Sequence, residues 1–290
     1  MILVDFSQVI ISNLMVQLAM TKTNTIDESL IRHMILNSLK SYRSKFVSDY
    51  GELVICCDDR NSWRKNVFEH YKSNRKKDRA ASTLDWTKIF EILNRISDEL
   101  MSNMPYKQLR VATAEADDII GSLCNKYGSL NNSDLHNVEP ILIISGDKDF
   151  IQLQKYHNVS QYGPVLKKMI YENNPERFKR EHIMLGDTGD GIPNFLSDDD
   201  TFVSGKRQRS IMRKKLSEWC VMKPEDFCTA SMLNSYIRNQ QLIDLDYIPN
   251  DIQEQCVERF NSVPVAARNG IFAYFMQHKL RTMIEHIDAF

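Results

Sequence analysis

Ile141-Leu142-Ile143-Ile144-Ser145-Gly146-Asp147-Lys148-Asp149-Phe150 runs four large aliphatic residues, without alternation, into a turn that carries two aspartates. An apolar run with no polar face reads as a strand buried on both sides, as in a parallel sheet covered by helices. The same construction occurs twice more. Ile2-Leu3-Val4 runs into Asp5, and Leu53-Val54-Ile55-Cys56-Cys57 runs into Asp58. Between these runs lie segments of helical period. Residues 27–46 repeat Leu30, Ile31, Met34, Ile35 and Leu39, and residues 86–101 repeat Ile89, Phe90, Leu93, Ile96 and Leu100. Strand alternating with helix predicts an α/β fold with a mostly parallel central sheet flanked by helices. Such sheets bind their ligands outside the carboxyl ends of the strands. One aspartate at a strand end is ordinary turn chemistry. Three strands that each end in one gather carboxylates along a single edge.

Two further acidic segments join them. Ala114-Glu115-Ala116-Asp117-Asp118 opens a helix, with Thr113 as the expected N-cap. Acids suit a first helical turn, but three in four residues exceed what a cap needs and repel one another unless a cation sits between them. Gly186-Asp187-Thr188-Gly189-Asp190-Gly191-Ile192-Pro193 reads as a tight irregular loop between helices, with backbone amides arranged as an anion nest. Asp5, Asp58, Glu115, Asp117, Asp118, Asp147 and Asp149 are thus expected on one rim, with Asp190 and Asp187 pointing back at it. No histidine or cysteine shows ligand spacing, so the donors are all oxygens and suit hard divalent cations such as Mg²⁺. Two such ions can activate a water and stabilise the leaving oxygen of a phosphodiester.

The net charge of −1 hides an uneven distribution. The acids are concentrated in these motifs, which leaves the rest of the molecule basic. Between residues 60 and 79 lie eight Lys and Arg, interleaved with Trp63, Phe68, His70 and Tyr71. That mixture suits a single strand, with charge for phosphates and rings for bases. A second basic run, Lys206 to Lys215, follows the glycine loop and suits duplex backbone. Residues 181–290 are poor in strand signal, with helices expected over 176–185, 205–220, 251–260 and 272–287. The expected division is an α/β domain over 1–180, with a basic segment at about 60–80, and a helical domain over 181–290. No apolar run is long enough for a membrane span, and the cysteines read as reduced thiols of a cytoplasmic protein. Gly-x-Gly-x-x-Gly and the Walker loop are absent.

With those residues in hand, the chain resembles the 5′-nuclease superfamily of flap endonucleases and phage 5′→3′ exonucleases, and within it the T-even phage ribonuclease H branch. VDFSQ (4–8) and CCDDRNSWRK (56–65) are similar to the first two acidic motifs, and YKSNRKK (71–77) to the arch. EADD (115–118) and SGDKDF (145–150) are specific, well-spaced matches, and GDTGD (186–190) resembles the start of the helix–three-turn–helix. LIDLDYIPNDI (242–252) extends the likeness nearly end to end.

The resemblance implies a PIN-like 5′-nuclease fold with a helical arch and a C-terminal helical lobe. It implies two Mg²⁺, with Mn²⁺ as a substitute. Asp5, Asp58, Glu115, Asp117 and Asp147 would serve the first ion, and Asp149, Asp190 and Asp187 the second, with Asp117 or Asp147 nearby. Arg64 and Lys72 would face the scissile phosphate, beside the catalytic Asp117 and Asp147. Substrate contacts would come from Arg60, Lys65, Tyr71, Arg75 and Lys76 on the arch, and from Gly189, Gly191 and Lys206 beyond the loop. The implied activity is removal of RNA primers and short 5′ flaps from DNA and RNA–DNA duplexes during phage lagging-strand synthesis. The implied setting is a monomer in the cytoplasm of the infected bacterium, alongside a single-strand-binding protein and a sliding clamp. One departure stands out. Where many members continue into a glycine-rich hairpin, this chain reads NFLSDDDTFVSGKRQRS (194–210), with only Gly205-Lys206 matching that pattern of duplex grip. The competing readings are a PIN-type metal-dependent ribonuclease and a nucleic-acid-binding protein without catalysis.

Overall fold

The computed structural model describes residues 1–22, 24–131, 138–264 and 268–290, and for Lys76 and Asp78 the backbone alone. Six strands form one sheet: β1 (Ile2–Asp5), β2 (Leu53–Cys56), β3 (Lys107–Leu109), β4 (Ile141–Ile144), β5 (Val159–Gly163) and β6 (Lys168–Ile170). Their order is β3-β2-β1-β4-β5-β6. Every neighbouring pair is parallel except the β5–β6 pair at the edge. The three aspartate-bearing strands are therefore the adjacent β2, β1 and β4. The chain builds outward through β2 and β3, then returns to the other side of β1. The crevice between the carboxyl ends of β1 and β4 is where such a sheet opens to a ligand. Register brings the ends level, with Val4 opposite both Ile55 and Ile144.

Helices α1 (Phe6–Thr21) and α2 (Glu28–Tyr50) join β1 to β2. α3 (Arg64–Val67), α4 (Ser73–Ala81) and α5 (Trp86–Asn103) lead from β2 to β3, with α3 and α4 forming the arch. α6 (Ala116–Tyr127) precedes β4, and a 3-10 helix (Lys148–Lys155) follows it. α7 (Pro175–Leu185) and α8 (Arg213–Trp219) flank the three-turn segment. α9 (Pro224–Phe227), α10 (Ala230–Ile243), α11 (Asn250–Ser262), α12 (Ile271–Gln277) and α13 (Arg281–Ile284) complete the chain. Among the described residues no helix is long and apolar enough to cross a membrane.

Three apolar clusters hold these elements. On one face of the sheet, α1, α2 and α5 pack with Ile271, Tyr274, Phe275, Leu280, Met283 and Phe290 from the end of the chain. On the other, α6 and the 3-10 helix pack with Leu245, Ile248, Ile252 and Cys256. The third ties Phe68 and Tyr71 of the arch base to Ile183, Met184, Ile192, Phe195, Leu216 and Tyr236. Residues 245–264 and 268–290 thus return to cover the sheet, while the three-turn segment and α10 support the arch.

Candidate metal and nucleic-acid site

Two of the strand-end acids are locked across the β1–β4 crevice. Asp5 caps α1, its Oδ1 accepting from the Gln8 amide at 3.1 Å, and its Oδ2 accepts from the Ser145 hydroxyl at 3.0 Å. The Ser145 oxygen in turn accepts from the Asp147 amide at 3.1 Å. Asp58 spans two helix starts, accepting from Ala116 N at 2.7 Å and Ser7 Oγ at 2.6 Å. Asp117, in the first turn of α6, completes the group. Burial pushes the Asp5 carboxyl up to about 7, with Asp58 adding to it. Burial and then Asp149 push Asp147 up to about 6. Asp117 is driven well above the carboxylate range by burial, then by Asp147 and Asp5, against a partial pull from Lys72. Buried acids shifted in this way have too little positive charge beside them to offset burial and their neighbours.

The next group has the protein's own cations against it, although burial still holds the Asp190 carboxyl above its ordinary range. Glu115, rather than Thr113, is the N-cap of α6, in a capping box with Asp118. Thr113 instead adopts φ 61 and turns the chain, its carbonyl accepting from Trp63 N. Glu115 accepts from Lys72 Nζ at 2.7 Å, the Tyr71 hydroxyl at 2.6 Å and Arg64 at 3.2 Å. Although its burial opposes ionisation, Lys72 and Arg64 hold its carboxyl below the ordinary range. Asp190 accepts from Tyr71 at 2.9 Å and from Arg75, with Lys72 Nζ at 3.6 Å. Asp187 lies 3.0 Å from Lys148 Nζ, which outweighs burial and keeps it ionised. His182 on α7 places Nε2 at 2.8 Å from Asp149 and 3.6 Å from Asp187.

The expected basic residues divide. Lys72, at φ 57, holds its left-handed backbone through a bond from its amide to the Asp190 carbonyl at 2.7 Å, and aims its ammonium at the acids. Arg75 bridges the Gly189 carbonyl at 3.2 Å and Asp190. Tyr71 is buried, its ring in the third cluster and its hydroxyl on two acids. Arg64 does not face the cleft. It is 3% exposed and donates to the Leu242 carbonyl at 2.9 Å and to Asp118 at 3.0 Å. Arg60 and Lys65 are exposed, Arg60 lining an open depression with Glu91, Arg95 and Asp98. Lys206 pairs with Asp200 at 3.1 Å. The Lys76 side chain lies outside the described residues.

The loop differs from the anion nest expected of it. The amides of Gly189 and Asp190 donate to Asp187 Oδ1 at 2.7 and 3.2 Å, so they are already taken. Gly191, at φ 72, lets the loop approach the arch, where an added Cβ would meet the His70 carbonyl at 3.1 Å. The sequence reading missed His182, Ser145 and the structural role of Asp118. Only His182 carried any signal, five residues before Asp187, and that is no recognised ligand spacing.

Comparison with known proteins places this arrangement. A model described as the 5′-3′ exonuclease N-terminal resolvase-like domain matches residues 1–184, and one described as T4 RNase H, C terminal, matches residues 174–290. The chain is 35% identical to the ribonuclease H of Enterobacteria phage T4, over 99% of this chain and 95% of that protein. It is 31% identical to a 5′-3′ exonuclease of Buchnera aphidicola, over 55% of this chain and 50% of that one. Among solved structures, the flap endonuclease of bacteriophage T5, crystallised with DNA and metal ions, superimposes with a TM-score of 0.61 at 17% identity, covering 90% of this chain and 97% of that one. The T5 5′-exonuclease with bound zinc gives 0.59 at 16%, covering 91% and 98%. At that identity these structures speak for the fold. The two models and the T4 relative carry more, and this chain belongs to the 5′→3′ exonuclease family, in the branch that shares the C-terminal region of T4 ribonuclease H.

Proposed function

We propose that this 5′→3′ nuclease hydrolyses phosphodiester bonds near the 5′ ends and flaps of DNA and RNA–DNA duplexes with two Mg²⁺ ions, removing RNA primers during phage lagging-strand synthesis. The observation that carries this reading is the buried group of Asp5, Asp117 and Asp147 at the carboxyl edge of the sheet, where burial and neighbouring carboxylates raise each carboxyl. Its donors are all oxygens, so the residues fit a hard cation, with Asp58 and Glu115 as further donors. Asp149, Asp187 and Asp190 would hold the second ion. Such ions, when bound, supply Lewis-acid stabilisation and a more acidic water.

The chain's own groups position the substrate. Lys72 is anchored between Glu115 and Asp190 and presents a fixed positive charge where a phosphate would approach the acids. Tyr71 and Arg75 hold Asp190 toward the rim, and Arg64 holds Glu115 and Asp118 from behind. The exposed cations of α4 line the route of a single strand. In this reading residues 1–180 hold the first ion and present Lys72, while residues 181–290 lend Asp187 and Asp190 to the second ion, brace the arch and grip duplex. The protein acts as a monomer in the host cytoplasm, with a single-strand-binding protein and a sliding clamp as partners.

The test is a 5′-labelled primer–template with a short flap, incubated with Mg²⁺ or with EDTA and sized on a gel. Short labelled products are expected with Mg²⁺ only. Asp147→Asn should lower the rate at least about 100-fold while leaving DNA binding largely intact. Cleavage in EDTA, or normal cleavage by that variant, sinks the proposal.

A further inference from the structure

We infer that His182 is a nitrogen ligand at the second cation position, and that it shifts this position away from Mg²⁺ toward Mn²⁺ and the later first-row ions. The inference rests on the metal-dependent reading above. His182 lies in the last turn of α7 with a side chain only 7% exposed. Its Nε2 stands 2.8 Å from Asp149 Oδ1 and 3.6 Å from Asp187 Oδ2. The ligand atoms of these three residues all lie within 4.8 Å of one another, a spacing that one ion can bridge.

Three separate elements bring them together. Asp149 comes from the 3-10 helix after β4, His182 from α7 packed on that helix, and Asp187 from the loop that follows. Gly186 makes the return possible. At φ 68 it turns the chain in a left-handed conformation, and a side chain there would run into the Pro193 carbonyl carbon at 2.6 Å. The imidazole faces both carboxylates. A histidine that served only to orient Asp149 would need to face one.

The chemistry of the donor set then separates the two positions. Asp5, Asp58, Asp117 and Asp147 offer oxygen alone, which suits Mg²⁺. One imidazole among carboxylates adds little for Mg²⁺ but favours Mn²⁺, Co²⁺ and Zn²⁺, in rising order of affinity. Lys148 Nζ, 3.0 Å from Asp187 on a half-exposed side chain, is the protein cation that an arriving ion would displace.

The test uses the full chain stripped with EDTA and loaded with Mn²⁺. Electron spin-echo modulation should show a directly coordinated imidazole nitrogen, and the ¹⁴N signal should change to that of ¹⁵N in protein labelled at histidine. The wild-type spectrum needs no variant, so misfolding cannot produce it. In His182→Gln, with its fold checked by circular dichroism, the nitrogen signal should vanish. The preference for Mn²⁺ over Mg²⁺ at this position should fall about tenfold, with Mg²⁺ affinity little changed. Bound Mn²⁺ without nitrogen modulation would overturn the inference. An equal loss of Mg²⁺ and Mn²⁺ affinity in the variant would also overturn it, leaving His182 as a residue that only positions Asp149. Absence of any Mn²⁺ binding would instead strike the metal-dependent reading itself.

Discussion

Arg64 and Lys72 illustrate how much a side chain's role depends on its surroundings. Both are basic, both belong to the arch, and the sequence reading aimed both at the scissile phosphate. The structure keeps Lys72 on the rim but turns Arg64 inward, where it is the counter-charge of Asp118, a carboxylate with no exposed surface. Removing one partner of a buried pair leaves the other uncompensated, which costs about 3–5 kcal/mol. Arg64→Ala is therefore expected to lower the melting temperature by roughly 10 °C, as seen by circular dichroism. A slower nuclease with an unchanged melting temperature would return Arg64 to the phosphate. Lys72→Met should act mainly on the chemistry, slowing cleavage on the order of 100-fold with DNA affinity nearly unchanged. Its fall in melting temperature should be smaller than that of Arg64→Ala, because Arg64 and Tyr71 still bond Glu115. A large loss of affinity would make Lys72 an ordinary backbone contact. Nothing in the segment RNSWRKNVFEHYK (60–72) tells these two fates apart, because burial is decided by Leu242 and Asp118, which lie far along the chain.

At the scale of elements, the regular helices were legible and the irregular ones were not. The expected helix over 27–46 appears as α2, that over 86–101 as α5, and those over 176–185 and 251–260 as α7 and α11. The expected helix over 205–220 survives only as α8. The Arg209 amide and carbonyl are instead bonded to Ser197 and Asn194, which draw residues 205–212 into the three-turn segment. The one expected over 272–287 breaks at Lys279, which adopts φ 56. α1, α10, β3, β5 and β6 were not foreseen, since short or weakly patterned segments carry little periodic signal. The loop between α7 and α8 yields a paired prediction. Gly186→Ala would force backbone against backbone at Pro193 and displace Asp187 and Asp190, so cleavage should fall at least about tenfold. Gly205 has a similar φ of 72 but nothing within 4 Å, so Gly205→Ala should cost only about 1 kcal/mol of local strain and leave cleavage intact. Equal activity in the two variants would show that the loop's exact path does not position the acids.

For the whole molecule, the uneven charge has a consequence for stability. An acid whose proton affinity is raised on folding keeps a proton that the unfolded chain gives up, so its contribution to stability declines as pH rises from its ordinary value to its folded one. For Asp5 and Asp147 that window runs from 3.8 to about 7 and about 6. Glu115 and Asp187 are shifted down, so above about pH 5 they are ionised in both states and do not offset the loss. Metal-free protein should therefore melt lower near pH 8 than near pH 5.5. Saturating Mg²⁺ should restore about 5 °C at the higher pH and less at the lower. A flat profile, or an equal metal shift at both values, would mean that these carboxyls share no cation. The sequence by itself determined the α/β class and the aspartates that gather at the carboxyl edge of the sheet, because each is written locally, in an apolar run that ends in aspartate. The tertiary structure alone decided which acids the protein neutralises with its own cations, which arginine is buried, and that His182 joins Asp149 and Asp187. Each of these depends on contacts between segments distant in the chain, and no local pattern records such a contact.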